Sequence, residues 1–258
     1  MHNIMKAMNY QIRRDNFLIY SIIAGVFPIV SILIDNMKDL NGGMVVVNMG
    51  MGISVFMGLA LIILIPRICG WDYTDKTMNY ELLAGHKRAD VFWSRAILSI
   101  IWGLGIAIVV VALPLLIVSL ILGWGNNLDF WNAFIRLLLT ICPLFRLICE
   151  LTLLTFLLKN CYVSMIFGYM YIMFSTMAVI FVEELSDFRF TAQLSVANAM
   201  RLLDFSNYSL GFVNGEDIYI YESAIEGGFA AETIIVSLIG GAVCLLIGFL
   251  IFKKSDVN

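Results

Sequence analysis

Six apolar stretches dominate this chain, at residues 17–34, 45–68, 96–122, 131–158, 162–182 and 233–252, each bounded by polar or turn residues. About 20 apolar residues cross a bilayer as a helix. Hydrocarbon offers no hydrogen-bond partner, so a crossing segment must satisfy its own backbone. The expected fold is therefore an all-α integral membrane protein with six transmembrane helices in a single domain over residues 1–258. Composition agrees, since 61% of the residues are hydrophobic and only 14% charged, with a mean hydropathy of +0.92. Too little polar surface is available to coat a water-soluble globule of this size.

Ahead of the first stretch, residues 3–16 set Ile4, Met5, Met8 and Ile12 on one side of a helix and Lys6, Arg13 and Arg14 around the rest. The pattern predicts an interfacial helix, with a solvated tail as the plainer reading. The stretch at 17–34 exceeds a signal-peptide core and runs into Asp35, Asn36 and Lys38 without a small-residue cleavage site, so it reads as a retained span.

The charges are sorted along the chain. Lys6, Arg13, Arg14, Arg67, Lys76, Lys87, Arg88, Arg95, Lys159, Lys253 and Lys254 fall on one side of a six-span topology. Only Lys38, Arg189 and Arg201 fall on the other, together with Asp35, Asp39, Asp129 and all nine acids of the 183–232 segment. Cationic residues resist translocation, so the basic side is expected in the cytoplasm, with both termini there. Two polar segments are long enough for structure of their own: a cytoplasmic one at 70–94 and an external one at 183–232, whose residues 190–205 carry helical apolar spacing. The five cysteines lie in or near spans and the two histidines are far apart, so neither a disulfide nor a metal site is expected. Nothing in the charge pattern calls for a nucleic-acid partner.

Helices in lipid associate through small residues that let backbones approach. Gly50, Ser54 and Gly58 form such a stripe in the second span, Ser99, Gly103 and Ala107 in the third, and Gly240, Cys244 and Gly248 in the sixth. Pro28, Pro114 and Pro143 lie inside spans and predict kinks. Arg136, Arg146 and Glu150 interrupt the fourth span. A charge facing lipid at mid-bilayer costs about 2.5–3.5 kcal/mol on insertion scales, so these must face something polar. Arg136, near the outer end, can snorkel. Arg146 and Glu150 are one turn apart on one face and can pair; the sequence leaves open whether they form a structural network or line a substrate path.

The cytoplasmic segment reads WDYTDKTMNYELLAGHKRADVFWSR. Here an acidic residue, Asp72, precedes the Lys76–Thr77 pair, followed by Leu82 and Leu83, then Gly85, Arg88 and Arg95 at the mouth of the third span. This order resembles the cytoplasmic loop of ABC type-2 transporter permeases, including those that export peptides or lantibiotics. Lys76 stands where that pattern often has Gly, and Gly85 where Pro is common. The resemblance implies a permease subunit of the bacterial cytoplasmic membrane that pairs with a second permease copy or homologue and docks an ATP-binding subunit through this loop. It also implies export of an amphipathic or antimicrobial peptide or drug. ATP and Mg would be bound by the partner, because the chain has no GxxxxGK[ST] phosphate loop and no cofactor or catalytic residue of its own is expected. Independently of the family, a short amphipathic segment with adjacent leucines and a basic rim suits a groove on a soluble partner.

Two other classes are open to such a chain. An ATP-independent secondary transporter or channel would use Arg146 and Glu150 at mid-membrane. An intramembrane protease would need the EExxxR arrangement that Glu183, Glu184 and Arg189 miss by one residue, and histidines that the later spans lack.

Overall fold

In the computed structural model the described residues are 1–35, 40–75, 77–185, 193, 195–203, 205, 207–213, 216–222 and 227–254. Among these residues ten helices, one 3-10 turn and one hairpin follow one another. The helices are α1 (His2–Arg14), α2 (Asn16–Asp35), α3 (Gly42–Thr74), α4 (Met78–Leu83), α5 (Arg88–Leu122), α6 (Phe130–Leu139), α7 (Ile141–Leu158), α8 (Cys161–Leu185), α9 (Val196–Ala199) and α10 (Gly227–Lys254). The 3-10 turn is Met200–Leu203, and strands β1 (Asn207–Val213) and β2 (Glu216–Glu222) lie between it and α10.

Five stretches among the described residues are long and apolar enough to cross a membrane: Met57–Thr74 in α3, α5, α6 with α7, Cys161–Val179 in α8, and Gly228–Lys254 in α10. The apolar run of α2, Asn16–Ser31, is shorter. α3 is the central helix, packed on α2, α5, α7 and α8, while α10 lies chiefly along α7. Small residues permit these approaches. A methyl group added at Gly103 would stand 2.8 Å from Ile148 of α7, and one at Gly58 equally close to Ile172 of α8. Ser99 and Ala107 are buried on the same face of α5 as Gly103, with Ser99 Oγ 3.0 Å from Cys69 Sγ.

Several expectations are corrected. The segment at 70–94 is shared among three helices: α3 continues to Thr74, α4 lies in the stretch after it, and α5 begins at Arg88. Apolarity ends before helicity does, because Trp71, Asp72 and Tyr73 are tolerated in a helix and no Gly or Pro stops it. The fourth span is two helices that meet at Thr140, in the turn before Pro143. Pro143 has no N–H to give the Leu139 carbonyl. α3 and α5 run through Pro66 and Pro114 respectively. Among its described residues the 183–232 segment carries a short helix, a 3-10 turn and then an antiparallel hairpin in which Tyr208 pairs with Tyr221 and Leu210 with Tyr219, while part of the helical spacing at 190–205 lies outside the described residues. The fold is thus mostly helical, not wholly so.

The apolar stripe of α1 does not lie open to lipid. Ile4, Met8 and Ile12 are buried in the common core, and Trp102 of α5 donates from Nε1 to Asn9 at 2.9 Å. Arg67 joins α3 to this corner through Asp15 at 2.6 Å, and Arg88 donates to the Lys253 carbonyl at 3.2 Å. Arg67, Arg88 and Lys253 of the basic side therefore gather at one pole. At the other pole the Gly42 and Gly43 amides donate to the carbonyls of Gly123 and Trp124. The hairpin is tied there too, by Tyr221 N–H to the Asn127 carbonyl at 2.8 Å.

Candidate functional site

At the basic pole, an aromatic cluster fixes the ends of α3, α5, α7 and α10. Phe92 lies 4.8 Å from Phe156 between ring centroids, Phe156 5.3 Å from Phe252, and Tyr73 stands edge-on to Phe156 at 6.2 Å. Against this rigid base sits Arg95, fully buried. Its Nη2 meets Asp72 Oδ2 at 2.6 Å and Glu81 Oε2 at 2.9 Å. Thr77 completes the arrangement: its hydroxyl donates to Asp72 Oδ1 at 2.9 Å and its amide to the Asp72 carbonyl at 2.8 Å. One guanidinium on α5 thereby clamps the end of α3 and the middle of α4. Charge-assisted hydrogen bonds of this kind are shorter and stronger than neutral ones.

This clamp decides which way α4 faces. Met78 is buried and Leu82 packs against the core, a spacing of four that defines the inward side of one helical turn. Glu81 is held by Arg95. Tyr80 and Leu83 point outward, 70% and 81% exposed. The adjacent leucines thus part company, and the outward anchor that spacing alone does not single out is Tyr80.

The helix ends on Gly85 at φ +87°. Its amide donates to the Leu82 carbonyl at 3.1 Å, and the His86 amide to that of Glu81 at 3.4 Å. This is a Schellman cap, in which a left-handed residue after the helix suits glycine. No atom lies within 4 Å of a methyl group built on Gly85, so the requirement is conformational, not steric. Arg88 is partly buried and turned to the end of α10. Lys76 lies outside the described residues.

The intramembrane charges form a second, separate group. Arg146 Nε meets Glu150 Oε1 at 2.6 Å, and Arg146 Nη1 donates to the Gln193 carbonyl at 2.7 Å. Gln193 in turn donates from Nε2 to Glu232 at 3.2 Å. α10 passes close because Gly240 faces the guanidinium, where a methyl group would lie 3.3 Å from Arg146 Nε. Thr233, Ser237 and Gly240 share one face of α10; both hydroxyls are buried and, among the described residues, unpartnered, as is Gln193 Oε1. Arg136 belongs to neither group. It donates to Asn132 at 2.7 Å and to the Leu202 carbonyl at 3.2 Å, anchoring the 3-10 turn to α6. The side chains of Glu183 and Glu184, and Arg189 altogether, lie outside the described residues.

Among the described residues, no group of three His, Cys, Asp or Glu side chains is placed to hold a metal ion. Comparison of the chain with models of known families, with curated proteins and with solved structures finds no match in any of the three.

Proposed function

We propose that this chain is the membrane-spanning permease subunit of an ATP-driven exporter, with α4 as the element that engages a separate ATP-binding subunit. The observation that carries the reading is a one-and-a-half-turn helix clamped from beneath by buried Arg95, with Tyr80 and Leu83 standing free on its outer side. An exposed aromatic and an exposed aliphatic residue on a rigid support have the form of interface anchors. A short apolar helix face fits a groove on a partner. In this reading α2 is the first of six spans, the basic pole faces the cytoplasm of a bacterium, and a second permease copy completes the translocation path. ATP and Mg reside on the partner, and the cargo is an amphipathic peptide or drug, as the family resemblance of the loop implies.

The test is copurification of the tagged chain with the ATPase encoded beside it, comparing wild type with a Tyr80→Asp, Leu83→Asp variant. Both side chains are exposed, so the variant keeps its thermal midpoint while losing the partner by at least tenfold, the effect of removing about 1.4 kcal/mol of interface energy. Equal recovery of the ATPase with both chains would sink the docking role of α4. A second reading, an ATP-independent transporter, is favoured by the buried polar face formed by Arg146, Glu150, Gln193, Thr233 and Ser237. It becomes the leading one if no ATPase associates with the wild type.

A further inference from the structure

A polar cup opens at the corner where α1 turns into α2. It has a volume of about 420 Å³ and is lined by Tyr10, Gln11, Arg14, Asp15, Asn16 and Arg67. Its charge is unbalanced. Asp15 is the one acid in the lining, and both of its oxygens are engaged: Oδ2 by Arg67 at 2.6 Å, Oδ1 by the Phe17 amide at 3.1 Å. Among the described residues Arg14 has no carboxylate partner. Its Nη1 donates to the Tyr10 hydroxyl at 2.8 Å, which orients that hydroxyl as an acceptor toward Arg14 and leaves its proton for another group. Gln11 and Asn16 add amide donors. With Arg14 and Arg67 against the single acid Asp15 in the lining, the field in the cup attracts anions.

Behind the lining, Arg67 rests against two aromatic rings. The Arg67 guanidinium carbon lies 4.4 Å from the centre of the Phe17 ring and 3.1 Å from that of Trp71, a stacked placement that fixes the cation. Directly beyond the cup, α2 presents Ile19, Tyr20, Ile23 and Phe27, all more than half exposed. A site with guanidinium, phenol and amide donors above a strip of exposed apolar surface has the layout of a lipid: headgroup in the cup, acyl chains along the helix. Basic residues with aromatic neighbours at a helix end mark the headgroup level of a bilayer.

We infer that the cup formed by Tyr10, Gln11, Arg14, Asn16 and Arg67 binds the phosphate of an anionic lipid headgroup, with the acyl chains lying along α2. The inference does not depend on how the chain is energised or what it carries.

The experiment uses the purified full chain in neutral detergent, with phosphatidylglycerol, phosphatidylcholine or inorganic phosphate added separately. Bound lipid is counted by native mass spectrometry and the thermal midpoint followed in parallel. Arg67 is partly buried in an ion pair, so its loss can cost folding; Arg14→Gln is the informative variant. Arg13→Gln is its control, because Arg13 has the same charge and helix but does not line the cup. Wild type and Arg13→Gln should retain phosphatidylglycerol over phosphatidylcholine. Arg14→Gln should weaken that retention about tenfold, the loss expected for one charge-assisted hydrogen bond. An equal loss in Arg13→Gln and Arg14→Gln, or equal retention of the two lipids, would overturn the site. Stabilisation by inorganic phosphate alone, with nothing further from phosphatidylglycerol, would keep the phosphate chemistry and overturn the lipid as its source.

Discussion

Arg95 illustrates how much a single buried cation can organise. Its ion partners sit 23 and 14 positions before it in the chain, so no local spacing rule pairs them. The Arg146–Glu150 pair, by contrast, is four residues apart on one helix and can be read directly from the sequence. The Asp72, Thr77, Glu81 and Arg95 clamp could be approached only through the resemblance of the loop, and Glu81 escapes even that. Removing one member of a buried ion pair leaves the others without their counter-charge, a cost of about 3–5 kcal/mol. Asp72 and Glu81 retain some access to water, which puts the expectation for Arg95→Met at the low end, about 3 kcal/mol. The measurement is the thermal midpoint of the purified chain beside the Tyr80→Asp, Leu83→Asp variant. The first should fall by several degrees and the second should hold, and an unchanged Arg95→Met would mean that the clamp contributes nothing to stability.

At the scale of elements, the helix periods and apolar lengths were readable because lipid imposes them. What was not readable has a physical reason in each case. The ends of α3 and α5 extend into polar sequence because helicity does not require apolarity. The β1–β2 hairpin has a signal of its own in the sequence, since SLGFV and EDIYIY flank the dipeptide Asn214–Gly215, a pair typical of tight two-residue turns. Packing between α7 and α10 makes a sharper test of element geometry. A methyl group on Gly241 would already stand 2.7 Å from Phe145 Cε1. Gly241→Val should therefore force the two helices apart and cost about 1–3 kcal/mol, the usual range for overpacking. Thermal unfolding checks this, with Gly228→Val as a control, since nothing lies within 4 Å of a methyl group at Gly228.

On the scale of the whole molecule, the sorting of charge into two poles is the feature from which orientation follows. The cation-rich pole holds α1, α4, the start of α5 and the end of α10; the hairpin is tied to the opposite one. Under the proposed six spans, His86 and Leu210 of the hairpin lie on opposite sides of the membrane. A cysteine introduced at each position, in a background cleared of exposed thiols, should react with an impermeant maleimide in intact cells only at position 210. Labelling of both, or of position 86 alone, would reverse or break the proposed topology.

Within that frame the junction at Thr140 acquires a mechanical meaning. α6 is fastened through Arg136 to the 3-10 turn at Leu202, whereas α7 is fastened along its length to α10. Between them the ladder lacks the rung that Pro143 cannot supply. The two halves of one apolar stretch are thus held by different partners on either side of a missing rung, which makes the junction at Thr140 the place where a change in the angle between α6 and α7 costs least.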